Sequence, residues 1–536
     1  MSAPSDPKPD TAIPELASPS PNSTNAPTRT GSNDNIDAKA KLNNGSPQTL
    51  HHEQQQSQPQ QQSGLAADNS DDPEDPEKAQ NQLSKFHRKL GILSPKGPIV
   101  PLDSGFSWVI VVCCFFMQMF GMGIANGFGS YQAYYLNVMF PDTPASTIQW
   151  IGTLFSLCLL GGSFFAGVIV DSYGPRLSGY IGTVVATLAM MLSSLGKEPY
   201  QLILAQGIML GLGCSFIHQP SIILSSQYFA KYRGLATGIA LAGSGVGGMF
   251  IGRATQAMID KVGIHWAMRI TGFIILGVAG ISSSFVRRRV PKIHQKAIEQ
   301  EKLHQKQLEQ IQNGEPVTEA PEKPKLRRRL FNFDALKDVR FDLAIAATFL
   351  LEMAYFGPTM YIAASAQYYG ISPASSTNLL LIFNVMVAVG RVIAGIMADK
   401  IGPIVTLLLS NMISGIAILA IWLNATNLSV FYGYVVVYGL FCSSFVSTNP
   451  IIVGNMFGIE KLGSTVGLLY LFASTGILIG NPVQATIYDK LDHRQRYRNT
   501  IIFPGCLYLC SMCVCCLLYF ITIRRLRKNG KNTLKA

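Results

Sequence analysis

From Ser107 onward the chain is a succession of apolar runs, each nearly free of charge and each long enough to cross a bilayer. A hydrocarbon core needs about 20 such residues in one helix. In lipid the backbone must satisfy its own polar groups, so these runs fold as spanning helices and not as a soluble core. They fall at about 107–128, 147–170, 177–196, 200–224, 234–257, 264–286, 341–363, 374–398, 404–423, 429–453, 463–487 and 501–523. The averages over 536 residues, 48% hydrophobic and 14% charged, blend this region with a polar start. The first hundred residues hold no apolar run, so no cleavable leader is expected and the first span must direct insertion.

These boundaries divide the chain into five parts. Residues 1–102 are rich in Ser, Pro, Asn and Gln, with a Gln-rich stretch at 54–62, and cannot bury enough apolar surface to order. Residues 103–286 form one six-helix bundle and 341–523 a second. Between them, 287–340 is a charged loop with the composition of an exposed helix near 293–312; 524–536 is a basic tail. Lys and Arg collect on the cytoplasmic side of membrane proteins. Lys85, Arg88, Lys89, Lys96, Arg176, Lys231, Arg233, Lys400, Lys461 and the basic tail then place both termini in the cytoplasm, of the plasma membrane or, alternatively, the vacuolar membrane. Lys490, Arg494, Arg496 and Arg498 fall on the opposite side and are read as a solvated loop. The net charge of +12 therefore reflects span flanks and does not point to nucleic acid. Nine of the ten cysteines are Cys113, Cys114, Cys158, Cys214, Cys442, Cys506, Cys510, Cys513 and Cys515, with Cys516 the last; none has metal-ligand spacing with histidine, and they read as small apolar fillers.

One short turn occurs twice. Gly167-x-x-x-Asp171-x-x-Gly174-Pro175-Arg176 follows the second span, and Gly395-x-x-x-Asp399-x-x-Gly402-Pro403 follows the eighth. Two halves marked by the same loop read as an all-α membrane protein of twelve helices in two six-helix pseudo-repeats, the arrangement of major facilitator transporters. Gly174 and Gly402 permit a sharp reversal and each following Pro blocks the incoming helix. Asp171 and Asp399 are placed to accept hydrogen bonds from helix N-termini, closing one side in one state and releasing it in the other. Small residues at Gly243, Gly245, Gly247 and Gly248 let another helix approach the fifth span.

Two segments carry a family resemblance. Asp103-Ser104-Gly105-Phe106-Ser107-Trp108 opens the first span, and Tyr228-Phe229-Ala230-Lys231-Tyr232-Arg233-Gly234-Leu235-Ala236-Thr237-Gly238 enters the fifth. They resemble the two signatures of the monocarboxylate-porter family, and Phe383-Asn384 with Gly390-Arg391 resembles its fungal branch, which includes riboflavin carriers. The resemblance covers about residues 100–525 and implies secondary transport of a small organic solute. It also shows departures: Asn126 stands where the lactate/proton carriers have a lysine, and Val387 where they have an aspartate, while the arginine is kept as Arg391. The family name therefore does not fix the substrate.

An ionisable group at membrane depth costs about 2.5–3.5 kcal/mol on insertion scales, so each asks for a reason. Arg391 can bind a carboxylate or polar heterocycle through its planar fork, or pair with Glu352. Glu352 can take up and release a proton, and His218 can titrate or hydrogen-bond solute. Asn126, Asn384 and Asn481 offer amides to a neutral solute, Arg253 reaches the interface, and Tyr131, Tyr134 and Tyr135 read as an interfacial cluster. No phosphate-binding loop and no Ser/His/Asp or metal constellation is present, so the expectation is a transporter without cofactor, not an enzyme. Its partners would be the bilayer, a monocarboxylate-like or riboflavin-like solute and a coupling proton. The alternatives are an efflux carrier for drugs or secondary metabolites and a non-transporting nutrient sensor.

Overall fold

The computed structural model describes residues 101–289, 333–458, 461–492 and 497–528. The polar N-terminal tail, the helix expected near 293–312 and the basic residues Arg494 and Arg496 lie outside them. The described residues form twelve spans. In the first half they are α1 (Gly105–Gly121, continued after a 42° bend by Gly123–Met139), α2 (Ala145–Ser172), α3 (Pro175–Ser193) and α4 (Pro199–Gln227). The run Arg233–Phe285 is broken at Gly263, whose φ of 80° and ψ of 165° leave the helical region, so it is α5 before the break and α6 after it. The second half comprises α7 (Val339–Tyr368), α8 (Pro373–Ile401), α9 (Pro403–Asn424), α10 (Leu428–Phe457), α11 (Leu462–Lys490) and α12 (Arg498–Lys528).

Sequence chemistry sets several of these limits. Pro175, Pro199, Pro373 and Pro403 occupy the first turns of α3, α4, α8 and α9, where the missing N–H is an orphan anyway. Gly174 (φ 115°) and Gly402 (φ 93°) adopt a backbone closed to other residues, and so reverse the chain between α2 and α3 and between α8 and α9.

Two helix pairs join the halves, α2 with α11 and α5 with α8, and both are extensive among the described residues. Glycines face backbone there. A methyl on Gly167 would strike the Gly463 carbonyl, and one on Gly395 the Gly234 carbonyl. Without a hydrophobic force between helices in lipid, such close backbone approach supplies the contact energy.

Three details depart from the sequence reading. Tyr131 and Tyr135 are 1% and 0% exposed and do not form an interfacial belt. The bend in α1 turns them into the first half, where Tyr131 shares a proton with Thr271 at 3.2 Å and Tyr135 donates to Gln206 at 2.6 Å. A buried phenol needs such a partner. Second, α12 extends to Lys528, so the basic run is helical; Arg525 and Arg340 both bind Asp338, at 2.9 and 2.6 Å, joining the end of α12 to the start of α7. The Arg340 guanidinium, with the Arg525 charge beyond it, holds the Asp338 carboxyl down at about 2. Third, Glu352 and Arg391 make no ion pair: Arg391 finds its partners elsewhere, as follows.

Candidate functional site

A cavity of about 440 Å³ opens between the halves. Its walls come from α1 beyond the bend, the start of α2, the far half of α7 and the start of α8. All four segments lie toward the same membrane face, so the cavity serves one side only. Phe128, Phe155, Tyr355, Phe356, Tyr361 and Phe383 make it aromatic, and Asn126, Gln132, Gln149 and Asn384 supply amides. Among the described residues, no charged side chain lines it.

Asn126 and Asn384 reach this cavity from opposite halves. A methyl on Gly248 would lie 2.6 Å from Asn126 Cβ and 2.7 Å from Asn384 Oδ1, so that glycine lets the two amides converge. Asn126 donates to the Ser244 carbonyl at 3.2 Å and Asn384 to the Leu380 carbonyl at 3.0 Å, which leaves each amide with unused valence for a solute.

The opposite end is shut by four polar side chains. Asp171, at the end of α2, accepts from Gly463 N at 3.2 Å and Ser464 N at 2.6 Å, the first turn of α11. Asp399, at the end of α8, accepts from Gly234 N at 2.7 Å and Leu235 N at 2.9 Å, the first turn of α5. Each carboxylate caps a helix of the other half, where orphan N–H groups and the positive dipole end favour an anion. Gln219 adds a bond to the Gly463 carbonyl at 3.0 Å and Arg233 one to Asn455 Oδ1 at 3.2 Å. Arg176, beside the repeated turn, donates instead within its own half, to the Val286 carbonyl at 2.9 Å.

Between cavity and closed end lies a buried polar layer. Arg391 is fully buried; it donates to the Leu241 carbonyl of α5 at 2.8 Å and points toward Ser443 Oγ at 3.4 Å and Met122 Sδ at 3.8 Å. Its strongest bond crosses to the other half, and it does not face the cavity. Glu352 is 1% exposed, with Oε1 unpartnered. His218 is fully buried against Gln118, its Nδ1 at 2.9 Å from Oε1. The expected solute residues thus divide: Asn126 and Asn384 line the cavity, whereas Arg391, Glu352 and His218 sit behind it.

Sequence reasoning missed Gln118, Gln219 and Tyr470. Gln118, within Phe115-Phe116-Met117-Gln118-Met119-Phe120, is a polar residue inside an apolar run, the signal that flagged Glu352; Gln219 directly follows the flagged His218, and Tyr470 carries no such signal. The two signature segments also touch: Asp103 accepts from Ala230 N and Lys231 N, both at 3.3 Å, and Trp108 meets Phe229 edge-on at 5.0 Å. That pairs the start of α1 with the entrance to α5.

The two-fold helical bundle, with a one-sided cavity at its seam and carboxylates capping helices across the other end, has the architecture of a secondary membrane transporter. A sequence profile of the Major Facilitator Superfamily matches residues 111–365 and 343–535, and the chain belongs to that superfamily. Among curated relatives, it is 29% identical to "MFS-type transporter 1" of Ophiocordyceps sp., over 77% of this chain and 86% of that one. It is 28% identical to the "Aspyridones efflux protein apdF" of Emericella nidulans, over 74% and 75%. It is 31% identical to the "Fujikurins efflux protein" of Gibberella fujikuroi, over 72% and 77%. The fold resembles the fucose:proton symporter FucP of E. coli, with a TM-score of 0.55 at 12% identity, covering 77% of this chain and 99% of that one.

Proposed function

We propose that this carrier exports a neutral, largely aromatic secondary metabolite. The observation that carries the reading is the cavity itself, aromatic and amide-lined, with no charge on its wall among the described residues. Desolvated amides orient a neutral polar solute, while a carboxylate entering such a site would lose hydration without gaining a cation. Arg391, the residue expected to receive an anion, spends its fork on the Leu241 carbonyl. Relatives named as efflux proteins for aspyridones, agnestins and fujikurins support the same direction. The efflux alternative therefore displaces the monocarboxylate-like solute as the leading reading.

We place the closed end on the cytoplasmic side, because Arg176, Lys231, Arg233, Lys400 and Lys461 gather there. The cavity then faces away from the cytoplasm, the release state of an exporter. Asp171 and Asp399 are the gate, and Glu352 is the candidate proton carrier for coupling.

Uptake of a riboflavin-like vitamin remains a second reading, favoured by the same aromatic walls and by the paired Asn126 and Asn384 amides. Cells expressing the chain and loaded with a labelled aspyridone should hold less label at steady state than control cells. Equal aspyridone content, together with saturable uptake of labelled riboflavin, would replace export with the vitamin reading.

A further inference from the structure

Behind the cavity three polar atoms are buried without a hydrogen-bond partner: His218 Nε2 on α4, Tyr470 Oη on α11 and Glu352 Oε1 on α7. Native interiors pair most such atoms, with protein or ordered water, so atoms from both halves left orphaned in one state of a carrier point to a partner held in the other state. The His218 and Tyr470 rings lie 6.4 Å apart between centroids, tilted by 49°. Glu352 and Arg391 both act electrostatically on Tyr470, and Asn449 lies near its hydroxyl without a bond of normal geometry.

The network fixes what this pair can bind. Ser221 Oγ donates to the His218 carbonyl at 2.6 Å, so it accepts the bond that Gln118 Nε2 makes to it at 2.6 Å. That orientation puts Gln118 Oε1 against His218 Nδ1 at 2.9 Å, and an oxygen there requires Nδ1 to carry the proton. In the neutral ring Nε2 is then an acceptor, while the Tyr470 hydroxyl has a proton to give. A hydroxyl satisfies both at once, donating to the imidazole and accepting from the phenol. A carbonyl or a carboxylate satisfies only the phenol.

We propose that His218 and Tyr470 form an inner subsite for a hydroxyl group of the transported solute. The proposal rests on the export reading and names a functional group that its solute carries. His218 belongs to one half and Tyr470 to the other, and both are fully buried here. Separation of the halves at the closed end, which alternating access requires, opens the subsite to the loading side. Closure to the present state expels the hydroxyl and leaves both atoms unpartnered, so the subsite favours loading over retention.

A pair of fluorescent probes tests this: 7-hydroxycoumarin and 7-methoxycoumarin, planar solutes that differ only by a methyl on the hydroxyl. Efflux of each is measured from cells expressing the full chain, in mildly acidic medium that keeps the phenol neutral. Wild type should favour the hydroxy probe about tenfold, the worth of one well-placed hydrogen bond. Either probe's oxygen can accept from the phenol but only the hydroxy probe can donate to the imidazole, so His218→Phe should bring the ratio near one, whereas Tyr470→Phe should slow both probes and leave the ratio near the wild-type value. Tyr438→Phe, whose hydroxyl meets Tyr508 at 3.3 Å outside the subsite, should leave the ratio intact. A ratio unchanged by His218→Phe, methoxy efflux untouched by Tyr470→Phe, or a wild type without preference would mean a bound water only and would overturn the subsite while leaving export standing. A wild type that moves neither probe would sink the export of neutral aromatics and this subsite with it.

Discussion

Replacing Asp399 by asparagine perturbs the closed end at a known pair of bonds. Asp399 Oδ1 takes Gly234 N at 2.7 Å and Oδ2 takes Leu235 N at 2.9 Å, both at the positive end of α5. Asn keeps one acceptor and turns an amide donor toward the other N–H, so one charge-assisted bond and the charge itself are lost. A hydrogen bond to a charged group is worth about 1.5–3 kcal/mol, and this one exists only while the halves meet. Taking about 2 kcal/mol as the differential loss, the ratio of cavity-open to opposite-facing molecules falls about 30-fold. Spin labels at Tyr173, 69% exposed at the end of α2, and at exposed Lys461 beside α11 straddle the closed end. In a background with the exposed cysteines Cys506, Cys510 and Cys513 changed to serine, pulsed dipolar spectroscopy reads their separation. Asp399→Asn should broaden the distribution toward longer distances, and Asp171→Asn added to it should do so further. Distributions that overlay wild type in both variants would refute the capping carboxylates as the force that closes this end.

Other outcomes follow from the same geometry. Gly167→Ala inserts a methyl against the Gly463 carbonyl, and should cut transport more than tenfold while the protein still reaches the membrane, as surface labelling would report. Arg391→Met removes the bond to Leu241 across the seam; transport should fall for neutral and anionic solutes alike, whereas selective loss of anion transport in a solute panel would restore Arg391 as a ligand. Asn126→Ala and Asn384→Ala should each raise the KM for a neutral solute several-fold with little change in thermal stability, since each amide holds only one backbone carbonyl. Asp338 has a carboxyl held down at about 2 by Arg340, so its contribution to stability is present above the ordinary carboxylate range and is lost only as pH falls toward that value. Asp338→Asn should therefore lower the melting temperature by the same amount at about pH 5 and about pH 8, and a difference that vanishes by about pH 5 would count against this latch.

The fold was legible because a bilayer leaves few options: a long uncharged run must be a helix, and the Gly-Pro turns mark where two of them stop. Span limits were harder to read. The bend after Gly121 carries α1 on to Met139, and nothing in apolar content signals that Tyr131 and Tyr135 turn inward. Asp171 and Asp399 were visible as motif residues, but their partners, the first turns of α11 and α5, are a tertiary fact that spacing does not encode. Charge at membrane depth drew attention to Arg391, Glu352 and His218 and away from the cavity wall. Of that wall only Asn126 and Asn384 were read from the sequence; its aromatics carry a signal indistinguishable from ordinary helix packing. Tyr470, within Leu468-Leu469-Tyr470-Leu471-Phe472, was hidden for the same reason.

Direction of movement through the aromatic cavity is the most exposed point of the account. Cells expressing the chain would be preloaded with a labelled neutral aromatic solute, and its loss followed in time beside cells carrying the Asp171→Asn, Asp399→Asn double variant. Faster loss from the wild type than from the double variant and from cells without the protein is the expected result. Identical loss curves in all three, with labelled riboflavin or lactate accumulating only where the wild type is present, would show a carrier that imports and overturn export.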